Sequence, residues 1–178
     1  MVKKKIKNVE IFFSAIIIVV IALVILNSAS IPVTLPTIMN LPQLSTIGYE
    51  QVGVSVEIGE NIGVVKLASQ CYEMTGNVEP SQALSIQNGL EDEIGPRPNT
   101  HDLFNDLLKA LDIKILQVKV TELRDNTFIA QMIVQKGNTV VALDSRPSDA
   151  IAVTARTDYL VPILVKESLL KEVGRYTC

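Results

Sequence analysis

The segment ALDSRPSDAIAVTARTDYLVPILV, residues 142–165, gathers Asp144, Arg146, Ser148 and Asp149 ahead of a run that is mostly small and apolar. Carboxylate oxygens can hold a divalent cation, and the planar fork of an arginine matches a phosphate. Asp144 lies just before the expected helix and Asp149 in its first turn, so one compact surface can offer both kinds of group around Arg146. The same residues also have a purely structural reading. Ser145 can cap the helix, Pro147 suits its first turn, Asp149 favours the positive end of the helix dipole, and Arg146 can pair with Asp149 three residues on.

His101, the single histidine of the chain, and Asp102 begin a second helix and can serve as general acid or base and as metal ligand. An Asp near a helix start has a capping role as well. Arg97, in the loop sequence GPRPNTH, suits either anion binding or a loop-fixing salt bridge. The candidate catalytic residues are thus Asp149, Arg146, His101 and Ser148. Arg97 and Arg146 are candidate substrate contacts, and Asp144, Asp149 and Asp102 are candidate ligands for a divalent metal such as Mg²⁺ or Mn²⁺. Cys71 and Cys178 are too few for a disulfide framework or a Cys-rich zinc site, and the sequence leaves open whether they pair.

The elements that must position these groups follow from hydrophobic period. Val52, Val54, Val56 and Ile58 alternate with smaller or polar residues, GEN turns the chain, and IGVVKLA returns, which predicts a hairpin. Leu116, Val118 and Val120 alternate with Gln117, Lys119 and Thr121; RDN then leads into a strand with Phe128, Ala130, Met132 and Val134 on one face, and KGN leads into TVVAL. That is a three-strand meander. Helices are predicted over Pro80–Glu91, over Thr100–Leu111 with Asn99 or Thr100 as cap, at the start of the 142–165 segment, and from about Lys166 to Val173, with a short strand at Pro162–Val165. In the second helix Leu103, Phe104, Leu107, Leu108 and Leu111 recur at one-face spacing, so Leu107 is expected to be buried. The fold class is α+β: a mixed, largely antiparallel sheet with hairpins and a meander, packed by about three to four helices.

Ahead of this domain the chain has a different character. Residues 1–10 carry Lys3, Lys4, Lys5 and Lys7; no charged residue then occurs from Ile11 to Tyr49, and residues 11–33 are apolar enough for a transmembrane helix or an uncleaved signal anchor. Residues 34–49, with Pro36 and Pro42, read as a linker, and the domain occupies 50–178. A cleaved secretory signal is the alternative, and both readings export the domain. Basic residues stay on the cytoplasmic side, so the expected arrangement is single-pass, with a cytoplasmic N-terminus and an extracytoplasmic domain. Residues 50–178 hold 12 basic and 18 acidic side chains. This balance argues against tight, sequence-independent gripping of nucleic acid by charge alone.

The blocks RPNTHDLFNDLLKAL (97–111), LRDNTFIAQMIV (123–134) and LDSRPSDAIAVTAR (143–156), followed by VPILV, resemble the bifunctional nuclease domain family in order and spacing. The resemblance implies hydrolysis of phosphodiester bonds in DNA and RNA, nucleic acid as partner, and a site built on the SRPSDA and THD blocks. It weakens near the start of the domain, where Ala83 and Ile86 match the family pattern but Gln82 stands where the family usually has an acid. The alternative is a non-catalytic binding module of the same fold at the cell envelope, and a homo-oligomer is compatible with the small residues of the 147–155 helix.

The charge pattern of the N-terminus makes one prediction directly. Protease added to intact cells or right-side-out vesicles should remove the domain while leaving the N-terminal residues protected. Full protection of the domain would overturn the orientation.

Overall fold

The computed structural model describes residues 42–178. The basic N-terminus, the expected membrane segment and the first part of the linker lie outside the described residues. Among the described residues no helix is long and apolar enough to cross a membrane. The elements run β1 (Tyr49–Gln51), β2 (Gly53–Ile58), β3 (Gly63–Ala68), β4 (Tyr72–Val78), α1 (Pro80–Leu90), α2 (Thr100–Ala110), β5 (Ile113–Arg124), β6 (Thr127–Lys136), β7 (Thr139–Ser145), α3 (Pro147–Thr154), β8 (Ile163–Lys166), α4 (Glu167–Val173) and β9 (Arg175–Tyr176).

The strands form two sheets, one ordered β1-β8-β5-β6-β7 and the other β2-β3-β4-β9. Every pairing is antiparallel except β5 with β8. The expected hairpin is β2–β3, the expected meander is β5–β6–β7, and the class is α+β as the periodicity requires. The chain passes from one sheet to the other at Val52, which is buried and donates its N–H to the Ile163 carbonyl (2.9 Å). It returns through α1 and α2 to β5 and crosses again through α4 to β9, and a Cys71–Cys178 disulfide ties the C-terminus to the turn before β4. The pairing that the sequence left open is therefore made.

Helix α3 occupies the centre of the domain. Six of its residues, from Ser148 to Thr154 with only Asp149 excepted, are buried. Ile151 and Ala152 pack with Val65, Leu67, Met74 and Val120, whereas Ala150 and Val153 pack with Leu108, Ile115, Val118 and Met132. A helix placed between two cores needs apolar side chains all round, which is why its sequence shows no polar stripe.

Three expectations change. Strand β4 escapes the periodicity because one of its inward positions is Gly76, between Met74 and Val78, and its outward positions are Glu73, Thr75 and Asn77. In β5 the pairing shifts between Ile115 and Gln117, a bulge that changes the phase of alternation. Ile115 thus enters the core in place of Leu116, and Gln117 and Lys119, read as facing outward, are buried beneath residues 42–49. Lys119 Nζ donates to the carbonyls of Gln43 (2.8 Å) and Ser45 (2.5 Å) and lies 4.8 Å from the Tyr49 ring centroid. Burial pushes its pKa down. The last part of the expected linker is consequently docked on the domain.

The third change concerns α2. Its buried face is Asp102, Asn105 and Leu108, with Phe104 partly covered, while Leu103, Leu107 and Leu111 are exposed. The face turned inward is partly polar because it has buried polar partners to satisfy: Asn105 Nδ2 donates to the Arg156 carbonyl (3.0 Å). Leu107, 49% exposed, is not the core residue that the stripe suggested; Leu108, 6% exposed, is. Leu108→Ala should destabilise the domain by roughly 2–5 kcal/mol, and Leu107→Ala should stay within about 1 kcal/mol. Urea midpoints of the two variants check this assignment.

Candidate active site

Helices α1, α2 and α3 converge around one buried guanidinium. Arg156, just past the end of α3, pairs with the Asp102 carboxylate at the start of α2, the two side chains being 7% and 9% exposed. It also donates to the carbonyls of Ser85 (2.8 Å) and Ala152 (2.6 Å) and to Ser85 Oγ (3.2 Å). The second oxygen of Asp102 accepts the Asn99 N–H (2.7 Å), completing a capping box in which Asn99 Oδ1 accepts from His101 and Asp102. Burial works to raise the pKa of Asp102, but the hydrogen bonds from Arg156 and Asn99 and the charge of Arg156 outweigh it and hold the carboxyl below its ordinary value. Gly89 makes the approach possible, since a Cβ there would lie 2.7 Å from the Arg156 guanidinium.

This ion pair fixes the protons of its neighbours. Ser85 Oγ receives the Asn99 amide (3.2 Å) and Arg156 (3.2 Å), and it lies 2.9 Å from His101 Nδ1. Two donors fill its lone pairs, so its own proton is given to Nδ1. An imidazole that accepts this proton at Nδ1 carries its hydrogen on Nε2, which faces Asp149 Oδ1 at 3.4 Å. Asp149 in turn receives a two-point fork from Arg146, at 2.7 and 3.2 Å. With its amide oxygen turned toward Arg146, Gln82 accepts from the two terminal nitrogens at 3.1 and 2.9 Å, leaving its amide nitrogen toward Ser148 Oγ at 3.4 Å.

The result is a continuous chain from buried Ser85 through His101 and Asp149 to Arg146, whose side chain is 65% exposed. The bonds to Asp149 push the Arg146 pKa further up, so the guanidinium is a permanent cation. At its outer end the chain presents a forked cation and a carboxylate to solvent. Such a pair can bind an anionic oxygen and accept a proton beside it.

Residues 75–177 match the family described as the bifunctional nuclease domain. The chain belongs to that family. It is also 34% identical over 132 residues to two uncharacterized proteins of Mycobacterium tuberculosis, one from each of two strains, spanning 69% of this chain and 73% of each relative. Gln82 of this bifunctional nuclease domain thus sits against Arg146, sharing its Nη2 with Asp149.

The structure brings together four of the expected site residues, His101, Asp149, Arg146 and Ser148, the last through Gln82. It separates the others. Asp102 is spent on Arg156 and the cap, which corrects its reading as a metal ligand. Asp144 is exposed on β7 opposite Gln131, and Arg97 is exposed in the loop between α1 and α2, with no salt bridge among the described residues. Among the described residues no three His, Cys, Asp or Glu side chains form a metal-holding group. Asp144, Asp149 and Asp102 as placed therefore do not fit a common Mg²⁺ or Mn²⁺. The cap of α3 also differs from expectation: Arg146 is the N-cap, without a side-chain cap bond, and Ser145 Oγ is buried without a partner.

Ser85 and Arg156 carry the network and were not singled out in the sequence. An arginine ending a buried apolar helix is a usable signal, because its charge must find a partner inside the domain. Asp102→Asn should destabilise the domain by about 3–5 kcal/mol at neutral pH by leaving Arg156 uncompensated. The folded carboxyl has the lowered pKa, so its contribution is fully present above the ordinary carboxylate value and is lost as pH falls through the folded value. The gap between wild type and variant in urea unfolding should accordingly close below pH ~4.

Proposed function

We propose that the domain hydrolyses phosphodiester bonds of RNA or DNA, with Arg146 holding the phosphate and Asp149 acting as general base. The observation that supports this most is the ordered chain Ser85–His101–Asp149–Arg146, which ends at an exposed fork. The Arg146 fork is held on one side by Gln82, a neutral amide. A phosphate oxygen, being charged, makes stronger hydrogen bonds to a guanidinium and can displace it. Asp149, kept in place by the His101 Nε2–H, then accepts a proton from a water beside the bound phosphate. The water oxygen bonds to phosphorus, the bond to the leaving sugar oxygen breaks, and that oxygen takes a proton back from Asp149 or from solvent. Arg146 stabilises the charge that develops on the phosphoryl oxygens.

In this reading Ser85 and Asn99 are positioning residues, since they act through the imidazole. Ser148 acts only through Gln82. The Cys71–Cys178 disulfide supports placing the domain outside the cytoplasm, where such bonds persist. Gln82 in the family's acidic position favours the second reading, an anion-binding module without catalysis, because it leaves the site with one carboxylate fewer.

Cleavage of labelled single-stranded RNA and DNA by the full chain separates the two. Asp149→Asn should lower the rate by about a hundredfold or more while costing less than about 2 kcal/mol of stability. Arg146→Lys should weaken substrate binding, because an ammonium cannot reproduce the fork. The assay with Mg²⁺, with Mn²⁺ and with chelator decides whether a cation takes part. Absence of cleavage above the Asp149→Asn background in all three conditions would replace catalysis with binding.

A further inference from the structure

Beside the Arg146 fork the domain opens into a cleft of about 510 Å³ between the two sheets, a size within the roughly 300–1,000 Å³ usual for small-ligand pockets. Its walls are apolar: Leu67 and Met74 from one sheet, Val120 and Phe128 from the other, and Ile151 from α3. Polar groups also line it, notably Asn61 beside the β2–β3 turn, Asn126 in the β5–β6 turn, and Glu79 just past the end of β4. Arg146 and Gln82 belong both to this lining and to the polar chain of the candidate site.

We infer that the cleft is a base-binding subsite, taking the nucleobase of the nucleotide whose phosphate lies on Arg146. This rests on the nuclease reading and extends it to substrate recognition. A nucleobase has apolar faces and an edge of mixed donors and acceptors, which is the combination of wall and amides that the cleft provides. Side-chain amides carry a donor and an acceptor each, so they can meet more than one base edge, while Glu79 offers a further acceptor to amino or hydroxyl groups. Phe128 supplies a ring for contact with the base, a sequence-tolerant interaction because every base has a π face. A purely aliphatic occupant would leave these amides and the carboxylate desolvated without partners, at a cost.

Gly76 gives a way to close the cleft without touching the polar chain. It lines the cleft, and a Cβ built there meets nothing nearer than the Phe128 ring at 3.9 Å. An alanine thus fits, whereas the longer side chain of Gly76→Leu must occupy the space that the base would fill.

Calorimetric titration of the full chain in detergent with adenosine 5′-monophosphate, ribose 5-phosphate and monobutyl phosphate tests the assignment. The mononucleotide should bind at least about tenfold tighter than ribose 5-phosphate, about 1.4 kcal/mol. Gly76→Leu should erase that preference and leave ribose 5-phosphate binding unchanged, and Gly76→Ala should retain it. Equal binding of the mononucleotide and ribose 5-phosphate by the wild type overturns the inference whether or not Gly76→Leu folds. So does a preference surviving in a folded Gly76→Leu, or monobutyl phosphate binding as tightly as the mononucleotide. RNA cleavage together with equal binding of the mononucleotide and ribose 5-phosphate would keep the nuclease and remove the subsite; tighter binding of the mononucleotide by a chain that cleaves nothing would keep the subsite and remove the nuclease.

Discussion

The buried pair of Asp102 and Arg156 is the constraint on which the arrangement of the site depends. Two charges inside a protein are tolerated only when their remaining hydrogen-bonding groups are also satisfied. That requirement recruits the Ser85 carbonyl and hydroxyl from α1, the Asn99 N–H at the start of α2 and the Ala152 carbonyl of α3. Three helices are thereby held to one set of positions. The same bonds fill the lone pairs of Ser85, which directs its proton to His101 and sets the imidazole tautomer that faces Asp149. Structural satisfaction and proton order at the surface are consequences of the same pair.

The second organising feature is the placement of α3. Its body separates two apolar clusters, so it cannot shift without disturbing both, and its first turn is the part that reaches solvent. Asp149 is thus mounted on the most tightly packed helix of the domain, which suits a group that must hold its geometry against an exposed partner. A cleft lined by both sheets opens beside this first turn. The chain joins them elsewhere, at the Val52 crossover and through α4 between β8 and β9, so a cleft next to Arg146 need not be filled for the core to hold together.

Charge at the site follows from one substitution of type. An acid at position 82 would give Arg146 two carboxylates; Gln82 gives it one carboxylate and one neutral acceptor. The pair Arg146–Asp149 is then formally balanced, and an incoming anion competes with an amide instead of a second negative charge. This local balance is compatible with the acidic domain as a whole, since exposed charges farther away than about 10 Å are largely screened by salt.

Much of the fold was legible because its signals are local. The β2–β3 hairpin, the β5–β7 meander and the four helices all follow from period and turn residues, and the cap of α2 was narrowed to Asn99 or Thr100, of which the structure uses Asn99. The SRPSDA and THD blocks pointed to Asp149, Arg146 and His101 by type and spacing. Sequence could not place Asp102 in a buried pair, because the partner, Arg156, lies 54 positions away and only the packing of α2 against the end of α3 joins them. Nor could it give the phase of β5 past its bulge or the inward face of α2. Its leucine stripe marks a face that solvent sees, whereas the buried face is chosen by the polar groups that must be satisfied beneath it. The amino-acid order determined the elements and the chemical types at the site; tertiary contact decided which of those groups meet, because each buried charge accepts only the neighbours that neutralise and hydrogen-bond it.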